Sequence, residues 1–189
     1  LKRTADEHLS LLLASSGAVL IEGPKWCGKT TTAEQQANST ISLQDPDMRD
    51  KYQATIRVKP SLLLLGETPR LIDEWQEAPV LWDSVRAVVD KRNEFGQFIM
   101  TGSNSIDPNK KSEFIKHSGS GRIAKMQMLT MSLYESLESN GKISLKELFD
   151  DKDLDIDGIT SEMSIEELIF AACRGGWPAS LYAKFDKAK

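Results

Sequence analysis

The sequence predicts an α/β fold with a mainly parallel sheet flanked by helices. Short apolar runs alternate with stretches of helical spacing, glycine, proline or aspartate closes the runs, and no repeat or low-complexity tract interrupts the order. Ala5 to Ser15 carries Leu9, Leu11, Leu12 and Leu13 and reads as a short helix with an apolar face, ended by Gly17. Ala18 to Ile21, bounded by Gly17 and Gly23, suits a buried parallel strand, because a strand covered on both faces needs apolar residues at every position. Helix formers follow from Lys29 to Asn38.

Ile41 to Leu43 reads as a second strand, and Asp45-Pro46-Asp47 as a turn and helix start. Leu71 to Glu74 reads as the end of a third strand, after the breaker Gly66-Glu67-Thr68-Pro69. Leu81, Val85 and Val88 recur at near-helical spacing, Phe98 to Met100 is a further strand, and Ile123 to Leu129 is one more. Residues 136–164 turn polar and acidic and are expected to form a linker or insertion. A new helix is expected after Ser164, before Gly175-Gly176-Trp177-Pro178 breaks it. Asp153, Asp155, Asp157 and Gly158 open like an EF-hand loop, but its closing glutamate would fall at Ser164, so a solvated loop is the simpler reading.

Composition narrows the function classes. The chain of 189 residues has room for one ordinary core and part of a second, and 40% hydrophobic with 28% charged residues suits a soluble folded chain. No apolar stretch approaches the roughly 20 residues needed to span a bilayer. The start of the chain lacks the apolar run of a signal peptide, so a cytoplasmic location without membrane contact is expected. Two cysteines, Cys27 and Cys173, are too few for a disulfide framework or a cysteine metal site. A net charge of -4 argues against a uniformly basic nucleic-acid surface; Lys110 and Lys111, with Lys116 and Arg122 nearby, are the best candidate for a local basic patch, and a solvated loop is the simpler reading.

The chemistry concentrates after the first strand. Gly23-Pro24-Lys25-Trp26-Cys27-Gly28-Lys29-Thr30 satisfies GxxxxGK[ST] between a strand and a helix, the context that a phosphate-binding loop requires. Glycines let such a loop wrap closely round phosphate oxygens, and its N–H groups and the helix start supply positive potential. Lys29 is expected to reach the β- and γ-phosphates, the Thr30 hydroxyl to ligate Mg²⁺, and Thr31 to meet the α-phosphate through its N–H or hydroxyl. Cys27 fits either a small packed filler or an oxidisable thiolate, and Trp26 either a base-stacking or a packing role.

Asp73 and Glu74, at the end of the third strand, supply the second half of an ATPase site. The aspartate is expected to hold Mg²⁺ through water, and the glutamate to orient the attacking water. Ser103 and Asn104 end a strand whose carboxyl end would face the same crevice. There they either bond the γ-phosphate or lytic water, or form a plain turn. Arg122 follows Ser118-Gly119-Ser120-Gly121, a segment able to bring its guanidinium to a phosphate of its own or a neighbouring chain; a structural salt bridge is the alternative.

With these residues in place the chain resembles the AAA-type predicted ATPases of bacteria and archaea that carry an uncharacterised C-terminal domain. The resemblance rests on Leu20 to Thr31, Arg70 to Gln76, Phe98 to Ser103, Ser118 to Arg122, Met131 to Glu135 and Arg174 to Pro178. It implies a P-loop ATPase core in residues 1–135, with ATP and Mg²⁺ as ligands and Lys29, Thr30, Asp73 and Glu74 as the active set. Residues 165–189 would then begin a C-terminal domain that looks truncated here. A homo-oligomer, and a protein or nucleic-acid partner reached through that domain, are compatible with the likeness. The function expected is an ATPase that couples hydrolysis to a conformational change. The alternative is a nucleotide-sensing regulatory module with negligible turnover.

Overall fold

Successive side chains of a strand point to opposite faces, so a strand covered on both sides feeds two cores at once. The structure, a computed structural model, describes residues 2–103, 118–151 and 155–182. Five strands, β1 (Ala18–Glu22), β2 (Ser39–Ser42), β3 (Arg70–Asp73), β4 (Phe98–Gly102) and β5 (Ile123–Gln127), form one parallel sheet in the order β2-β3-β4-β1-β5. Ala18, Leu20, Ile72, Phe98 and Met100 go into one core, and Val19, Ile21, Leu71 and Ile99 into the other. The expected α/β parallel fold is present.

The helices cover both faces. α1 (Thr4–Ser15) and α2 (Lys29–Glu34) bring Leu9, Leu13 and Ala33 to the second core. α4 (Val80–Arg92) brings Leu81, Trp82, Val85 and Val89 to the first, joined by Leu63 and Leu64 of a 3-10 turn, while α3 (Arg49–Val58) contributes only partly buried Tyr52 and Ile56. Residues 81, 85 and 89 lie one turn apart, so Val89 takes the fully buried position and Val88 a half-buried one beside it. Among the described residues no helix is long and apolar enough to cross a membrane.

Several element limits differ from the sequence reading, two of them for a tertiary reason and one for a local one. α2 stops at Glu34 rather than Asn38, because the Asn38 N–H must already bond Pro69 O at 2.8 Å to enter β2. β2 includes Ser39 and Thr40 because it pairs with β3 alone, and an edge strand is held by backbone bonds without apolar side chains. The 136–164 stretch contains a short helix, α5 (Leu145–Asp150), begun by a capping box in which the Ser144 hydroxyl accepts from the Glu147 N–H and the Glu147 carboxylate accepts from Ser144 N.

The described chain divides into two compact units, one of residues 4–129 and one that joins the first residues of the chain to those from 130 onward. Within the second, Arg3 pairs with Glu135 at 2.9 Å, Met131 N bonds Gly176 O, and Arg174 forks onto Glu138 at 2.8 and 2.6 Å. The Arg174 hydrogen bond holds the Glu138 carboxyl below its ordinary range. α6 (Ile165–Arg174) starts from a second capping box at Ser164, the residue that a calcium loop would have needed as glutamate.

Candidate functional site

The loop between β1 and α2 is shaped by close approach and by two residues of positive φ, Trp26 and Gly28. A Cβ on Gly23 would sit 2.1 Å from the Met128 carbonyl oxygen, so only glycine lets the loop leave β1 against the end of β5. Gly28 has φ 102, the left-handed conformation from which α2 begins. Cys27 is buried outright with its Sγ 3.8 Å from the same Met128 oxygen, the position of a packed thiol rather than an exposed nucleophile. Trp26 is the opposite: at φ 63 it is 83% exposed. Pro24, Lys25 and Thr31 are also exposed.

Lys29 folds back onto the loop. Its ammonium is buried and donates to Gly23 O at 3.0 Å and Pro24 O at 2.8 Å. Buried charge needs such partners, and two neutral carbonyls are weaker partners than an anion. The sheet register brings the remaining groups to the same edge: Ile72 pairs with Met100, so Asp73 stands beside Thr101, and Thr101 itself pairs with Ile21 near the start of the loop. Thr30 Oγ1 donates to Asp73 Oδ1 at 2.8 Å, and the Thr101 hydroxyl donates to the same oxygen. A hydroxyl and a carboxylate oxygen held together are hard donors that fit Mg²⁺, an ion usually held by one or two protein oxygens plus water and phosphate.

Glu74 leaves β3 in a left-handed conformation, φ 56 and ψ 49. Its N–H lies 3.4 Å from Thr101 Oγ1, and its carboxylate accepts a hydrogen bond from the Gln76 side-chain amide. Ser103 follows β4 directly, half-buried at this same edge. Asn104, Lys110, Lys111, Lys116 and Asp153 lie outside the described residues. Thr101, Gln76 and the Met128 carbonyl were not singled out from sequence. Thr101-Gly102 at a strand end was a usable signal for the first, and a glutamine two residues after Asp-Glu for the second; a supporting backbone carbonyl leaves none.

Arg122 is not brought to this edge of its own chain. It precedes β5, whose first residue Ile123 pairs with Ala18, the first of β1, whereas the loop follows Glu22. Four strand steps separate those levels, about 13 Å. The Arg122 guanidinium, about half exposed, donates to Asp90 Oδ1 of α4 at 2.7 Å, and this hydrogen bond holds the Asp90 carboxyl below its ordinary range.

A family model described as an AAA domain matches residues 15–137, more than half of the chain and all five strands. No curated protein matches the sequence.

Proposed function

The chain belongs to the AAA domain family, a nucleotide-binding ATPase type, and from that membership we propose that residues 1–135 form a Mg²⁺-dependent ATPase core whose hydrolysis drives a conformational change. The observation that carries the reading is the convergence of Lys29, Thr30 and Asp73 at one sheet edge, with Thr30 and Asp73 2.8 Å apart. Lys29 exchanges its two loop carbonyls for β- and γ-phosphate oxygens. Gly23 to Thr31 would wrap the phosphates, and Thr30 and Asp73 would hold Mg²⁺. Mg²⁺, when bound, supplies Lewis-acid charge against the phosphate oxygens. Glu74 takes the proton of a water whose oxygen attacks the γ-phosphorus, as the bond to ADP breaks and inorganic phosphate leaves. Ser103, with Asn104, bonds the γ-phosphate or that water.

Arg122 enters this scheme only between chains, as a guanidinium offered to a neighbour's phosphate in a homo-oligomer, since its own loop lies at the opposite sheet edge. Residues from 165 onward begin a second domain, through which the core meets a protein or nucleic-acid partner.

One observation favours a second reading. The Glu74 carboxylate is already engaged by Gln76, which suits a nucleotide-sensing switch that turns over negligibly. Steady-state phosphate release with Mg²⁺ and ATP, measured beside nucleotide binding, separates the two. Metal-dependent release that Glu74→Gln lowers roughly a thousandfold while binding persists is the expected result. Binding without release leaves the switch, and absence of binding removes both readings.

A further inference from the structure

We infer that Gln76 is a positioning residue for Glu74: its side-chain amide sets the direction of the carboxylate that receives the proton from water. The inference rests on the hydrolytic reading of Glu74 for its consequence, and on the geometry below for its substance.

Glu74 is left-handed, and the chain turns at once into a 3-10 segment, Trp75–Glu77, closed by Glu77 N on Glu74 O at 3.0 Å. That turn carries the Gln76 amide back over the carboxylate, to which its NH₂ donates. A carboxylate accepts hydrogen bonds only, so the amide must present nitrogen to it and turn its oxygen the other way. Gln76 Oε1 is buried there without a hydrogen-bond partner. An orphaned buried acceptor is unfavourable, so the amide is held in this orientation by what its nitrogen does, not by what its oxygen finds.

The surroundings fix the turn. A Cβ on Gly102 would lie 2.8 Å from Gln76 Oε1 and 2.8 Å from Trp75 Nε1, so the end of β4 lacks a side chain where the amide and indole rest. Trp75 is buried against Trp82 of α4, with ring centroids 5.3 Å apart. The adjacent Asp73 has its own donors, the Thr30 and Thr101 hydroxyls. Two neighbouring carboxylates are therefore aimed by separate sets, hydroxyls for the one on the metal side and an amide for the one on the water side.

Two measurements on the full chain test the assignment. In nucleotide-free ¹⁵N-labelled protein, the Gln76 side-chain NH₂ resonances, assigned by their loss in Gln76→Met, are expected to move towards solvent-exposed values in Glu74→Ala; unmoved resonances overturn the contact. Gln76→Met is expected to lower kcat about tenfold, with KM for ATP within twofold of wild type. In the Glu74→Gln background the same change is expected to have no further effect, because the donor then has no carboxylate to aim. A full tenfold loss in that background, or a loss that appears in KM alone, overturns the positioning role. If Gln76→Met does not fold, Gln76→Glu supplies both the assignment and the kinetic arm. If the wild-type chain releases no phosphate, the hydrolytic reading falls by itself, and the Gln76 resonances in Glu74→Ala still decide whether the amide holds Glu74.

Discussion

The two edges of the sheet treat charge differently. At the carboxyl edge Lys29 rests on two carbonyls, Asp73 on two hydroxyls and Glu74 on an amide, all neutral partners. At the amino edge Arg122 meets the Asp90 carboxylate, which also accepts from Arg86 at 3.1 Å. Neutral partners yield to a charged ligand, because an ion of opposite sign adds a full Coulombic attraction that a neutral dipole does not supply. The carboxyl edge therefore holds charged groups met only by neutral ones, whereas Arg122 at the amino edge already has a carboxylate partner.

The sharpest way to break this contrast is at Glu74. Glu74→Gln keeps the size and loses the base, so turnover is expected to fall roughly a thousandfold with ATP affinity within twofold. Equal losses of turnover and binding would make Glu74 a structural residue. Next is Lys29→Ala, which removes the cation and should weaken ATP binding about a hundredfold in a folded variant, read by calorimetry. Unchanged affinity would mean that the carboxyl edge holds no charge available to phosphate. Thr30→Val keeps the loop shape and removes one hard oxygen. ATP binding titrated with Mg²⁺ is expected to become about tenfold less metal-dependent.

The smallest effects belong to the amino edge. Exposed ion pairs contribute little, so Asp90→Asn should shift Tm by no more than about 3 °C at pH 7. The Asp90 carboxyl sits below its ordinary range in the folded chain, so its contribution is complete above that range and disappears as pH falls through the folded value. The Tm difference between wild type and Asp90→Asn should close on acidification, and a difference that widens would reverse the sign of the pairing. Arg122→Ala should likewise leave ATP affinity unchanged. Where Arg122 serves a neighbouring chain, its loss lowers turnover per chain, turnover rises with concentration in wild type, and mixing with Glu74→Gln chains restores part of it. A monomer whose turnover ignores concentration would confine Arg122 to its pair with Asp90.

Legibility followed how local each signal was. Gly23 to Thr30 was readable as a motif because its glycines and lysine stand at fixed spacing in one continuous segment. Asp73 and Glu74 were readable because they close an apolar run. Thr101 was passed over for Ser103 and Asn104, because its partnership with Asp73 depends on register between β3 and β4, across 28 residues of chain. α5 hid in a polar stretch whose one clear signal was the box of Ser144 and Glu147. α6 shows the converse. Its start after Ser164 was legible, yet Ile165, Leu168 and Ile169 are exposed, since a cap starts a helix without providing anything to bury its face.

The sequence alone determined most of the strands and helices, the GxxxxGK[ST] segment and the two carboxylates after β3, because each is written in consecutive residues whose backbone or chemical demands are local. Only the tertiary structure decided which strands are neighbours, and hence that β4 lies between β1 and β3 and brings the Thr101 hydroxyl to Asp73. It also decided that Arg122 belongs to the edge opposite its own loop. Strand order and register are set by how two apolar faces are buried at once, and that depends on residues far apart in the chain.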